Sequence, residues 1–244
     1  MAPATLMKRP RKAKTRALDS LDLPEEEDRS ASFFMPAGSM TLDDFRKWTS
    51  SDDFPETGKI AYIGKELFID MSPERIDSHG AVKVEVCTTV NALVRKTKKG
   101  RMFFDRTRIV NVSAVVSNEP DAFLATYETL KKGRLRRVQT SNGDDYIEFE
   151  GTPDWILEIV SPSSVSKDKK KLRKRYHRAG IAEYWLIDAR GDAVHFQILI
   201  HGKDDYTPAE RSGDWQVSKV FGKRFRLHRI KDELGDIDYR LDVK

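Results

Sequence analysis

The amino-acid sequence predicts a mixed α/β domain with a central mixed sheet flanked by helices. Three observations lead there. Short runs at strand spacing alternate with longer stretches at helical spacing. The run Trp155 to Val160 is apolar throughout except for Glu158, the pattern of a central strand covered on both faces. A length of 244 residues suits one sizeable domain with flanking segments.

Taken in order, residues 1–38 read as a disordered charged tail. Lys8, Arg9, Arg11, Lys12, Lys14 and Arg16 form a basic block, and Glu25 to Asp28 an acidic one. Segregated charge with few apolar side chains cannot offset the entropy of ordering. Thr41 followed by Asp44 is a capping signal for a short helix through Phe45 and Trp48. Lys59 to Ile63 and Glu66 to Met71, with Gly64 at the turn, read as a hairpin. From Ser78 to Lys98, Val82, Val86, Val90 and Leu93 recur at helical spacing, and Gly100 follows a basic end. Met102 to Val112 reads as one strand and Asp121 to Thr126 as another. Residues 128–150 form a basic excursion turning at Asn142-Gly143. Asp168 to Ala179 is helical and ends at Gly180; Glu183 to Ile187 and Val194 to Ile200 are strands. The domain is therefore expected over 39–200, with 201–244 a C-terminal extension of short strands and loops packed on it.

Bulk composition narrows the function classes. Apolar residues make up 39% of the chain and charged residues 34%, a globular balance with a heavily solvated surface. The net charge of +5 leans toward anionic partners. A single cysteine, Cys87, excludes an internal disulfide. No apolar run approaches the roughly 18 residues of a membrane span, and no apolar stretch follows the basic N-terminus as in a secretory signal. A soluble, cytoplasmic protein is the expectation.

The chemistry centres on Glu158. A carboxylate inside a buried strand is costly unless it is paired or holds a metal. Asp154 is its nearest acid, but positions four apart on a strand are separated by about 13 Å, too far to share one small ion. Asp121 is better placed, since it opens the run Ala122 to Ala125. If that strand lies beside the Glu158 strand, about 5 Å away, both carboxylates can hold one Mg²⁺. Eight lysines and arginines follow between Lys167 and Arg178 against one acid, Asp168. Leu172, Tyr176 and Ala179 form a narrow apolar stripe, so the helix packs along one face and carries a basic surface elsewhere, suited to phosphates.

Residues 153–190 carry Pro-Asp-Trp-Ile-Leu-Glu-Ile-Val-Ser-Pro-Ser-Ser, the basic helix, Tyr176-His177-Arg178-Ala179-Gly180-Ile181 and Glu183-Tyr184-Trp185-Leu186-Ile187-Asp188. This resembles the Uma-type restriction endonuclease family, a branch of the PD-(D/E)XK nuclease superfamily. Pro120-Asp121 is similar to its first acidic motif, and Leu157-Glu158-Ile159 with Ser161-Pro162-Ser163 to its second. Met40 to Ser50 and Met71-Ser72-Pro73 resemble its opening, so the likeness runs from about residue 40 to 200. The resemblance implies a restriction-endonuclease-like fold, Asp121 and Glu158 as metal ligands, Mg²⁺ (or Mn²⁺) as cofactor and DNA as substrate. The superfamily's lysine would fall at Val160; the family's, on the following helix, falls at Leu172. Lys171 beside it and Lys167 one turn earlier are the candidates for its role. Glu85 is the candidate for an extra glutamate from the first helix, and His79 is either a capping or surface histidine or a site contact.

The expected activity is Mg²⁺-dependent endonucleolytic hydrolysis of DNA, as a monomer or a homodimer. Two other readings stay open: a nucleic-acid-binding module of the same fold without the chemistry, and a scaffold in which Glu158 is merely salt-bridged.

Overall fold

The computed structural model describes residues 32–140, 143 and 145–244. The basic block from Lys8 to Arg16, the acidic block and Asn142 of the expected turn lie outside the described residues.

Among the described residues, three sheets and four α-helices build the mixed α/β fold. The first sheet has the spatial order β1 (Ser32–Pro36), β3 (Glu66–Asp70), β2 (Lys59–Ile63), β6 (Val116–Asn118), β5 (Arg108–Asn111), β9 (Tyr146–Gly151) and β8 (Leu135–Gln139). The second runs β13 (Tyr206–Pro208), β12 (His195–His201), β11 (Glu183–Asp188), β10 (Trp155–Ile159), β7 (Ala122–Thr126) and β4 (Gly100–Phe104). The third is β14 (Arg211–Ser212), β15 (Trp215–Ser218), β16 (Lys223–Lys231) and β17 (Ile237–Val243). The helices are α1 (Leu42–Thr49), α2 (Val82–Thr97), α3 (Tyr127–Lys131) and α4 (Arg173–Arg178). A π-helical turn leads into α2 over Ile76–Ala81, and another into α4 over Lys167–Leu172.

Local signals explain most of these elements. The Thr41 side chain accepts from Asp44 N at 3.1 Å while Asp44 accepts from Thr41 N at 3.0 Å, the reciprocal cap that starts α1. Gly64 turns the β2–β3 hairpin with φ +62°, and the Arg175 guanidinium lies against the position a Cβ would take. Glycine takes that φ without strain, and any larger residue would also have to push the Arg175 side chain aside. Asp154 accepts Thr126 N and the Thr129 hydroxyl at 2.8 and 2.7 Å, so it fastens the entry to α3.

Two segments differ from the sequence expectation. Met102 to Val112 is two strands in different sheets, because Arg106 adopts φ 58° and turns the chain between β4 and β5. Ser32–Pro36, the end of the expected tail, is an edge strand antiparallel to β3, where the Phe34 ring meets Phe68 at 5.0 Å. The excursion after residue 128 folds as α3 and the β8–β9 hairpin, which extends the first sheet.

The central sheet is covered on both faces. On one side Val86 and Val90 of α2 and Phe225 and Leu241 of the third sheet pack with Leu157 and Trp185. On the other, Ile156 and Val160 meet Phe68 and Val116 of the first sheet and Leu172 and Tyr176 of the basic helical segment. Glu183 pins the third sheet: its buried carboxylate accepts the Trp185 indole N–H and the Ser218 hydroxyl at 2.6 Å each, and Lys219 N at 2.9 Å. Residues beyond 200 thus share the main core. Among the described residues no helix is long and apolar enough to cross a membrane.

Candidate functional site

The strand register brings the two acids together. β7 and β10 are antiparallel with Ala122 opposite Leu157, so the next step sets Asp121 opposite Glu158 on adjacent strands. Asp121 Oδ2 accepts the Ile159 backbone N–H at 2.7 Å, which fixes that carboxylate and turns Oδ1 toward other partners. Both acids share the sheet face of Ile156 and Phe123, and both are buried, at 4% and 1% exposure.

Each acid has its own set of neighbours. Glu158 Oε1 accepts the Tyr176 hydroxyl at 2.6 Å and the Asn118 amide at 2.9 Å. Its other oxygen, Oε2, faces Lys167 Nζ at 3.5 Å. Burial, reinforced by the charges of Asp168 and Asp121 and opposed by Lys167, pushes the Glu158 carboxyl up to about 8. Lys167 is held in turn by Asp168 at 3.1 Å, and Asp168 takes the Ser164 hydroxyl. Burial works against the Lys167 charge, yet Asp168, Glu158 and Asp121 together raise its pKa above the ordinary value.

Asp121 Oδ1 lies among three basic side chains: His79 Nε2 at 3.5 Å, Lys83 Nζ at 3.6 Å and Lys59 Nζ at 3.8 Å. Burial opposes its ionisation, but His79, Lys59 and Lys83 outweigh it and hold the carboxyl well below the usual range. His79 and Lys83 stand one helical turn apart where the π turn enters α2, and both also contact Glu74.

Lys167 is therefore beside Glu158, whereas Lys171 pairs with Glu66 and lies over the Phe34 ring at 4.1 Å. Glu85 accepts Leu241 N at 2.7 Å and so points at the third sheet. His79 is buried and touches Asp121. Leu172, at the position of the family's lysine, is fully buried in the core. Much of the expected basic helix surface is tied down: Lys169 binds Asp188 at 2.6 Å, Arg173 binds Asp205 at 2.9 Å, and Arg175 donates to the Ala114 carbonyl at 3.2 Å. Sequence reasoning missed Asn118, Tyr176, Lys83, Lys59 and Glu74. The spacing of four between His79 and Lys83 is the one signal that could have joined two of them.

The acid pair can act as two oxygen donors to a hard cation, with an ammonium at hand on either side. Among the described residues no three His, Cys, Asp or Glu side chains converge as a ready-made metal cage.

A solved structure described as a putative nuclease of the DUF820 group from Anabaena variabilis has a similar fold. The TM-score is 0.56 at 22% identity, over 75% of this chain and 91% of that one. No curated protein matches. The family model Uma2, described as "Putative restriction endonuclease", matches residues 42–227, from α1 into β16. On that match, the chain belongs to the Uma2 family.

Proposed function

We propose that the protein is a metal-dependent endonuclease that hydrolyses DNA phosphodiester bonds, with Asp121 and Glu158 holding Mg²⁺ and Lys167 assisting. The observation that carries this is the cross-strand juxtaposition of Asp121 and Glu158 with the buried Lys167 ammonium 3.5 Å from Glu158. Two buried carboxylates side by side repel when both are ionised; burial raises the Glu158 carboxyl most, and the charges of Asp168 and then Asp121 add to it. An all-oxygen donor pair of this kind fits a hard divalent cation, which would remove the conflict.

Bound there, Mg²⁺ would polarise the scissile phosphate and lower the pKa of an attacking water. The chain's own groups do the rest. Tyr176 and Asn118 fix one oxygen of Glu158, leaving the other toward Lys167. The Ile159 N–H does the same for Asp121. Asp168 aims the Lys167 ammonium at the acid pair, where it can orient the water or offset the extra negative charge of the transition state.

Supercoiled plasmid is the test substrate. Wild type is expected to nick it with Mg²⁺ or Mn²⁺ and not with chelator. Lys167→Met should lower that rate by about 10²-fold, the scale of one lost transition-state donor. A folded wild type that binds plasmid but leaves it intact with either metal would reduce the protein to a binding module.

A further inference from the structure

Glu74 is placed unlike the other acids around the site. It lies between β3 and the π turn that enters α2, in a stretch without regular structure, and its side chain is 46% exposed. Yet its Oε1 meets two buried donors: the His79 ring at Nδ1, 2.5 Å away, and the Lys83 ammonium. Those donors are themselves 4% and 10% exposed, and both also stand beside Asp121 Oδ1. A surface carboxylate therefore occupies the outer side of a pair of buried donors whose inner side faces a proposed metal ligand. Carboxylate and phosphodiester oxygens are interchangeable acceptors for such charge-assisted donors. Asp105 also accepts from Lys83 at 3.0 Å, so Lys83 keeps a partner when Glu74 leaves.

We propose that His79 and Lys83 are phosphate-binding residues of the site, and that Glu74 stands in for a DNA phosphate in the substrate-free protein. This rests on the nuclease reading above. Entry of the phosphodiester exchanges one anion for another on the same donors. Lys83 and His79 then hold the backbone next to the acid pair, and Glu74 swings out with its exposed segment.

The test is fluorescence anisotropy with a short labelled DNA duplex, at fixed salt and with chelator so that nothing is cut. Glu74→Gln should tighten binding about tenfold, because an ionic competitor has become a neutral one. Asp77→Asn removes the same charge from an exposed position three residues away and should change affinity by less than about twofold. Lys83→Gln should weaken binding, and adding Glu74→Gln to it should recover nothing. If Lys83→Gln does not melt cooperatively, His79→Gln takes its place in the cycle. Glu74→Gln binding no tighter than Asp77→Asn, or tightening equally without Lys83, overturns the inference. Failure of the nuclease reading looks different: wild type would not nick plasmid, whatever Glu74→Gln does to binding.

Discussion

Replacing Glu158 by Ala, or Asp121 by Asn, is expected to lower metal-dependent plasmid cleavage by about 10³-fold, some 4 kcal/mol of transition-state stabilisation at 1.36 kcal/mol per tenfold. Each carboxylate would supply one of two protein oxygens to the cation, so neither variant keeps half the activity. The choice of residue matters. Asp121→Ala would leave the buried Ile159 N–H without its acceptor, at about 1–3 kcal/mol of stability, whereas Asn retains an oxygen there. Glu158→Gln is the sharper control, since its amide oxygen still accepts from Tyr176 and Asn118. Lys167 keeps Asp168 as a counter-charge, so the variant should still melt cooperatively while cleavage stays as low as in Glu158→Ala. A Glu158→Gln protein that melts early yet cuts normally would make Glu158 a structural salt-bridge partner.

The second large effect is on pH. The Glu158 carboxyl is pushed from 4.5 to about 8, so between those values the folded chain keeps a proton that the unfolded chain has released. The stability this contributes is fully present below about 4.5 and is lost as pH rises through about 8. Metal-free protein should therefore lose Tm from this group as pH climbs through that window. Asp121 acts with the opposite sign, but below its ordinary value of 3.8, outside the window. A cation must displace the Glu158 proton, so its apparent affinity should rise about tenfold per pH unit and level off near 8, about 10²-fold between pH 6 and pH 8. Calorimetric titration of Mn²⁺ across that range measures it. An affinity flat with pH would mean that the cation does not compete for Glu158.

Much of the fold was legible because its signals are local. The Thr41 cap, the Gly64 hairpin and the α2 periodicity each rest on a few neighbouring residues. The β7–β10 pairing was legible from Asp121 and Glu158 themselves, since carboxylates in apolar runs need a counter-charge and one cation can serve both when the strands are adjacent. What stayed hidden depends on long-range contacts. The corner at Arg106 carries neither glycine nor proline, so β4 and β5 read as one strand. Ser32–Pro36 fell within the segment read as a charged tail with few apolar residues, and it becomes a strand only because β3 offers it an edge. The basic helix read as a free phosphate surface, but Asp188 and Asp205, which quench part of it, come from strand ends far along the chain. Tyr176 counted as one residue of an apolar stripe, and only the folded chain shows its hydroxyl on Glu158. His79, Lys83 and Glu74 lie within ten residues, yet the sequence offered only His79 as a capping or surface histidine or a site contact, and the other two join it only once Asp121 is seen beside His79 and Lys83.

The most direct test of the acid pair as a metal site is Mn²⁺ calorimetry at pH 8 on wild type and on the Asp121→Asn/Glu158→Gln double variant. Wild type should show saturable binding that the double variant, folded by its melting curve, loses by at least about a hundredfold, the scale of removing both anionic protein ligands. Equal affinity in the two proteins would place the cation elsewhere and contradict the assignment of Asp121 and Glu158.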